Sequence, residues 1–377
     1  MVCSRCFPLG RMLWFCLYLG GVAWGQPAPE KPPGENSFPR PVWHPDARWQ
    51  VEKFAGTGAR GHLDGPRLEI EDYCNGRPMA RVFQPLGAGR YQYSGLDPLS
   101  GRVHRVSGGA RGTLDGPLSR ARFGGWDYVA RNHLARSPDG RYLYILEGYN
   151  RHRLRYIDLQ QQWVGTLFPR LTQLRGIAVG DDGTIYLVQH PQQLWTISPD
   201  HQKLRRGPRL QISRPANAWG YSLAVDQQRG RLYATKYRTP DYYIWYWDLS
   251  TGQYHGVLPT PKTSGKDRGR NVPGPFEGTN LYEQGVVLFG PDDPDKRFLY
   301  TPRTDTFQLI RLDLQRRMVA ILASEKGPDG SRWWKFSDEP HRPQRVPLYG
   351  NMHWLPDGSF LSGTHSPWHS YLFRRVR

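Results

Sequence analysis

Along most of the chain, short apolar runs alternate with clusters of Gly, Asp, Asn and Pro. Residues 126–159 show the pattern most fully. An apolar pair, Leu134 and Ala135, is followed by a turn of Ser137, Pro138, Asp139 and Gly140, a strand over 141–146, a loop over 147–151, and a strand over 154–157 that ends on Asp158. Aromatic and β-branched residues between such turns predict antiparallel hairpins. The same order returns at 176–197, 222–248, 285–313 and 351–374, and a degenerate copy lies at 81–106, where Tyr91, Tyr93 and Asp97 keep the spacing.

A second repeat supports the first. The stretch 55–66, which ends in Leu63, Asp64, Gly65 and Pro66, recurs one residue shorter at 107–117, ending in Leu114, Asp115, Gly116 and Pro117. Self-similarity at a spacing of a few tens of residues, with strands and turns between, is the mark of a solenoid or propeller. About six units predict an all-β fold, a six-bladed β-propeller. The last unit reaches Arg377 without an outer strand, whereas 49–54 is a spare strand ahead of the first unit. This N-terminal outer strand is expected to complete the last blade and close the ring, which removes an open edge.

The first 25 residues read as a leader. Arg5 and Arg11 precede a short apolar run that ends in Ala23, Trp24 and Gly25, the layout of a secretory signal peptide, with cleavage expected after Gly25. The alternative is an apolar segment retained as an anchor. No other stretch has the unbroken apolar length of a membrane span. Three of the four cysteines, Cys3, Cys6 and Cys16, lie in the leader, so Cys74 is alone in the mature chain and no internal disulfide is expected. Residues 26–48 are proline-rich and predict an extended linker, which leaves 49–377 as the folded domain. The protein is expected to be secreted or periplasmic, and monomeric.

With 42 Gly and 33 Pro, the 377 residues cannot be all-helical. The net charge of +18 is mostly arginine and admits two accounts, selection for an acidic partner or a compositional habit of the genome. Nucleic acid is not expected as a partner, because the leader directs the chain outward and no zinc-finger spacing, RNP pattern or basic helix occurs. An anionic glycan or a protein is expected instead.

Residues 107–158, with the Gly-rich Asp-Gly-Pro turn, the Asp-Gly hairpin and Asn150, Arg151, His152, Arg153, Leu154 and Arg155, resemble an NHL repeat. The resemblance covers about 50–377 as architecture, and later units lack the Gly-rich turn. It implies a six-bladed shape and leaves the reaction open, because NHL and SMP-30-like propellers include scaffolds, lactonase-like enzymes and peptide-amidation lyases. The metal-bearing relatives also imply that a divalent cation at the central axis is to be weighed.

In a propeller, the positions leading into each innermost strand and the loops between second and third strands share one face around the axis. Here those positions are Arg131, Asn132, His133, Arg175, Trp219, Tyr221, Glu283 and Asn351, joined by Glu147, Arg151, His190, Lys236, Arg238, Arg303 and His365. Guanidinium forks pair with carboxylate or sulfate, and aromatic faces stack on sugar rings, so the expected ligand is an anionic glycan. If the mouth is catalytic, His133 or Tyr221 would abstract a proton next to a uronate carboxylate, with Arg175 or Arg151 neutralising the charge that develops. The resemblance to lactonase-like propellers implies the other enzymatic reading, a metal-dependent lactonase or lyase in which Asn132, Glu283 and Asn351 would imitate their carboxylate and Asn ligands, although the spacing itself assigns no metal ligand. No three-histidine site is written in the spacing, and no G-x-S-x-G or H-E-x-x-H occurs. The insert 260–278 is expected to be a lid or a disordered connection.

Overall fold

The structure is a computed structural model. It describes residues 49–58, 65–66, 81–85, 90–96, 102–110, 113–122, 134–147, 153–212, 221–235, 241–259, 274–278, 286–290, 293–303, 308–324, 334–336, 352–354, 359–363 and 368–375. Among these residues there is no α-helix, and the strands form six sheets of almost entirely antiparallel pairs.

The sheets follow the sequence units. The first holds Arg81–Pro85, Arg90–Leu96 and Arg102–Ala110, with Gly65–Pro66 on its outer edge. The second is built from Leu134–Arg136, Tyr142–Glu147, Arg153–Asp158 and Trp163–Leu167, edged by Gly116–Pro117. The third contains Leu174–Val179, Ile185–Gln189, Gln193–Ile197 and Leu204–Arg209, and the fourth Ser222–Asp226, Arg231–Thr235, Tyr242–Asp248 and Tyr254–Pro259. Leu288–Phe289, Phe298–Arg303, Gln308–Asp313 and Met318–Ser324 make the fifth, edged by Gly274–Pro275. The sixth joins Met352–Trp354, Phe360–Gly363 and Trp368–Arg375 to the N-terminal strand Trp49–Gly58. That strand runs antiparallel to Trp368–Arg375, with Trp49 opposite Arg375 and Gly58 opposite Trp368, and takes Trp334–Phe336 in parallel on its other side.

The alternation of a strand explains how the sheets stack. In Ile185–Gln189, Ile185 and Leu187 enter one core with Tyr144, Leu146 and Leu154 of the second sheet. Tyr186 and Val188, pointing the other way, enter another with Leu223, Leu232 and Trp245 of the fourth. The fourth sheet repeats this arrangement, since Tyr233 and Ile244 meet Leu299, Ile310 and Leu312 of the fifth. A strand covered on both faces has no polar face to show, and so reads as a continuous apolar run. Trp245 and Trp247 are fully buried in the seam of the third and fourth sheets, where truncating either would cost about 3–5 kcal/mol.

The acidic turn that closes several units is structural. Asp158 accepts from Arg141 Nε and Nη2 and from the backbone N–H groups of Gln160 and Gln161. Asp313 does the same with Arg297 and with the amides of Gln315 and Arg316. Burial alone would raise both carboxyls, but the arginine and backbone donors outweigh it and hold them below the usual range.

The outer strands, expected but not located in the sequence, are Trp163–Leu167, Leu204–Arg209, Tyr254–Pro259 and Met318–Ser324 in the second to fifth sheets. One expectation changes. Part of the 260–278 insert is ordered, because Gly274–Pro275 pairs with Val319 and Met318 and leads into a 3-10 turn, Phe276–Gly278. The rest of that insert, and Cys74, lie outside the described residues.

Candidate functional site

Four of the expected mouth residues are described with their surroundings, and the fold brings three of them, Arg175, His190 and Tyr221, to one end of the third and fourth sheets. Arg175 sits at the start of Leu174–Val179, at a register shift between Leu174 and Gly176. Its carbonyl accepts from the Tyr221 backbone N–H at 2.7 Å, which ties the first strands of the third and fourth sheets together. The next junction uses a side chain, as Ser222 Oγ accepts from the Val287 amide at 2.9 Å. The Arg175 side chain is half-buried.

Tyr221 is 4% exposed. Its ring packs edge-on against Trp245 and Trp247, at centroid distances of 6.2 and 5.5 Å. Burial pushes its phenol up to about 12, with the Gln192 side-chain hydrogen bond and the Arg175 charge pulling the other way. A phenol held this high is protonated at neutral pH, so the Tyr221 hydroxyl is present there as a hydrogen-bonding group.

His190 is exposed, in the loop between the second and third strands of the third sheet, and its backbone N–H donates to the Gln173 carbonyl at 3.0 Å. The same loop contributes two residues not singled out in the sequence. Gln192 adopts a left-handed φ of 82°, held by its amide on the Gln189 carbonyl at 2.6 Å, and so reaches Tyr221. Gln189 donates from Nε2 to the Thr172 carbonyl at 2.7 Å and accepts from Trp195 Nε1 at 2.7 Å. The signal was present, since Gln189, His190, Pro191, Gln192 and Gln193 form a polar run directly after an apolar strand.

Glu147 is not at the mouth surface as expected. It is 4% exposed and accepts from Arg155 Nη1 at 2.9 Å. Arg303 ends the strand Phe298–Arg303, opposite Gln308. Arg131, Asn132, His133, Arg151, Trp219, Lys236, Arg238, Glu283, Asn351 and His365 lie outside the described residues. Among the described residues, no group of three His, Cys, Asp or Glu side chains converges to hold a metal.

The described part of the site is thus a half-buried guanidinium, a buried phenol and an amide-rich loop. Such a set brings positive charge and hydrogen-bonding groups to one end of the two sheets.

No protein-family model matches the chain, and no curated protein matches it. Solved structures do. A Bacteroides thetaiotaomicron structural-genomics protein of unknown function is 11% identical, over 86% of this chain and 75% of that chain, with a TM-score of 0.57. An auxiliary nutrient binding protein from the same organism is 12% identical, over 88% and 77%, with a TM-score of 0.54. At this identity the likeness is one of fold, and with the serial antiparallel sheets it identifies a fold of the β-propeller type.

Proposed function

We propose that this chain is an exported, six-bladed, NHL-like propeller, closed by its N-terminal strand, that binds an extracellular anionic glycan at its mouth. The observation that carries the reading is the pairing of Arg175 with Tyr221 at the head of adjacent first strands, where the charge acting on the buried phenol is a cation. A carboxylate or sulfate is the natural counter-group, and the Gln189–Gln193 loop offers amides to sugar hydroxyls. The six-bladed, closed form is supported by six sheets in chain order and by the pairing of Trp49–Gly58 with Trp368–Arg375. A similar fold is that of an auxiliary nutrient binding protein, in keeping with a binding role. Arg131, Asn132, His133, Arg151, Trp219, Lys236, Arg238, Glu283, Arg303, Asn351 and His365 complete the proposed mouth.

Calorimetric titration with a short uronate oligosaccharide tests this. Wild type is expected to bind, and Arg175→Ala to bind roughly ten-fold or more weakly, the scale of one charge-assisted hydrogen bond. Equal affinity in the two proteins, or no binding by wild type, would sink the reading. Build-up of unsaturated sugar ends during the titration would turn it into the lyase.

A further inference from the structure

The third sheet ends on a strand unlike its partners. Leu204–Arg209 reads Leu-Arg-Arg-Gly-Pro-Arg and follows Lys203, so four cations, Lys203, Arg205, Arg206 and Arg209, stand exposed within seven residues. The outer strands of the second and fifth sheets are covered by Gly116–Pro117 and Gly274–Pro275, whereas among the described residues nothing pairs with the outer side of this one. Beside it lies an open groove of about 480 Å³, lined by Thr184, Thr196, Ser198, Asp200, Lys203 and Arg205.

Register explains why these groups converge. Thr196 stands directly opposite Arg205. Ser198 and Lys203 are joined by two hydrogen bonds of 3.0 Å, from the Ser198 amide to the Lys203 carbonyl and from the Lys203 amide to Ser198 Oγ. The Thr196 hydroxyl of the inner strand and the Ser198 hydroxyl of the turn are thereby set beside the Lys203 ammonium of that turn and the Arg205 guanidinium of the edge strand. Arginines that brace the fold have carboxylate partners, as Arg141 has Asp158 and Arg297 has Asp313. Among the described residues no carboxylate forms an ion pair with Lys203, Arg205 or Arg209. The acid in the groove, Asp200, is held by the Ser198 hydroxyl and by the Gln202 amide at 3.1 Å.

We propose that the groove and this strand form a second binding site, separate from the mouth, for the sulfate or carboxylate groups of an acidic polysaccharide. Residues 203–209 in extended form span about 20 Å, enough to meet several charges along one polymer. The lining sets the Thr196 hydroxyl beside Lys203 and Arg205, while the Thr184 and Ser198 hydroxyls donate to Asp182 and Asp200; it has no aromatic face, so it offers charged and hydroxyl contacts to an acidic sugar polymer but no platform on which a base could stack. Charge on an edge strand also prevents strand pairing between molecules, but that role requires neither the groove nor its hydroxyls.

Dextran sulfate, neutral dextran and a thymidine oligonucleotide, titrated separately into the whole chain near physiological ionic strength, decide the matter. Dextran sulfate is expected to bind and dextran not to. The double variant Lys203→Ala and Arg205→Ala should weaken dextran sulfate at least about ten-fold, with the uronate affinity of the mouth unchanged. Asp200→Asn should act in the opposite direction and tighten dextran sulfate, a gain that damage to the fold would not produce. Arg175→Ala should leave dextran sulfate binding as it is. The proposal is overturned if the double variant binds dextran sulfate like wild type, because the net charge then suffices. It is also overturned if the oligonucleotide binds as tightly as dextran sulfate, or if Arg175→Ala abolishes dextran sulfate binding, which would put the polymer at the mouth.

Discussion

Arg155 Nη2 donates to Asp115 Oδ1 at 2.8 Å, and this contact gives the repeated Leu-Asp-Gly-Pro motif its function. Asp115 also accepts from Thr166 Oγ1 at 2.9 Å, while Arg155 donates to the carbonyls of Leu114 and Arg122. The motif is therefore fastened to the third and fourth strands of its own sheet, and Gly116 and Pro117 continue as an edge strand opposite Val164 and Trp163. Arg155 is 1% exposed and also faces the buried Glu147. Arg155→Ala leaves that carboxylate uncompensated and is expected to cost about 3–5 kcal/mol. Asp115→Ala, at an exposed carboxylate, should cost about 1 kcal/mol. Urea midpoints of the two variants check this, and equal losses would remove the anchoring role from Arg155.

The middle strands of the second sheet, Tyr142–Glu147 and Arg153–Asp158, were legible because they are largely buried and follow the Asp139-Gly140 turn. The fourth strands were not. Leu204–Arg209 contains Gly207, Pro208 and three arginines, which an edge position tolerates because one side needs no ladder partner. Gly274–Pro275 escaped notice for a different reason: Pro273 stands where the earlier copies have Asp64 and Asp115. Gly116 and Gly274 nonetheless share φ values of 141° and 143°, so the backbone kept what the side chain lost. At the site, Arg175 and Tyr221 followed from their place ahead of apolar strands. Glu147 was misplaced because only its tertiary partner, Arg155, reveals that it is buried, and Gln192 was missed because its reach depends on a left-handed backbone.

The proposed closure rests on a strand far from its partner in sequence. Trp49–Gly58 lies between Trp368–Arg375 and Trp334–Phe336, so removing it would bare two ladders at once. Deleting residues 1–48 is expected to leave the thermal midpoint unchanged, whereas deleting 1–58 should lower it sharply and promote association. A peptide of residues 49–58 added to the shorter chain should restore the midpoint in part, by strand addition. A full-strength transition without residues 49–58 would contradict closure.

His201 predicts a pH dependence. Its ring lies 4.7, 5.5 and 5.6 Å from the rings of Tyr142, Tyr144 and Tyr156, and its Nε2 is hydrogen-bonded to the Tyr144 hydroxyl at 2.7 Å. Burial lowers its pKa, with Asp200 and Asp158 opposing and Arg141 assisting. The folded protein therefore takes up this proton at lower pH than the unfolded chain does. Stability is expected to fall as pH drops below about 6.5 and to level off beneath the folded pKa. The acids held down, Asp158 and Asp313 among them, lose their contribution at more acidic pH, because their ordinary value is already 3.8. His201→Asn, a residue that tolerates the φ of 62° at this turn, should flatten the melting profile between pH 5 and 7. An unchanged slope would show that another group sets it.

Tyr221 separates binding from proton abstraction at the mouth. A catalytic base must be deprotonated near the working pH, and burial against Trp245 and Trp247 holds this phenol up to about 12. Arg175 keeps its charge throughout the same range. Uronate affinity should therefore be flat from about pH 7 to 10, since neither group changes charge there. Tyr221→Phe keeps the ring between the two tryptophans and removes the hydroxyl that meets Gln192. It should cost about 1 kcal/mol of stability and weaken the ligand only modestly, in contrast to Arg175→Ala. Tyr221→Ala removes a buried ring and should cost about 3–5 kcal/mol, an effect of packing that falls on the fold before the ligand. Titration calorimetry across pH, with wild type and Tyr221→Phe side by side, checks both parts. A rise in uronate turnover with pH that Tyr221→Phe abolishes would instead make the phenol the base.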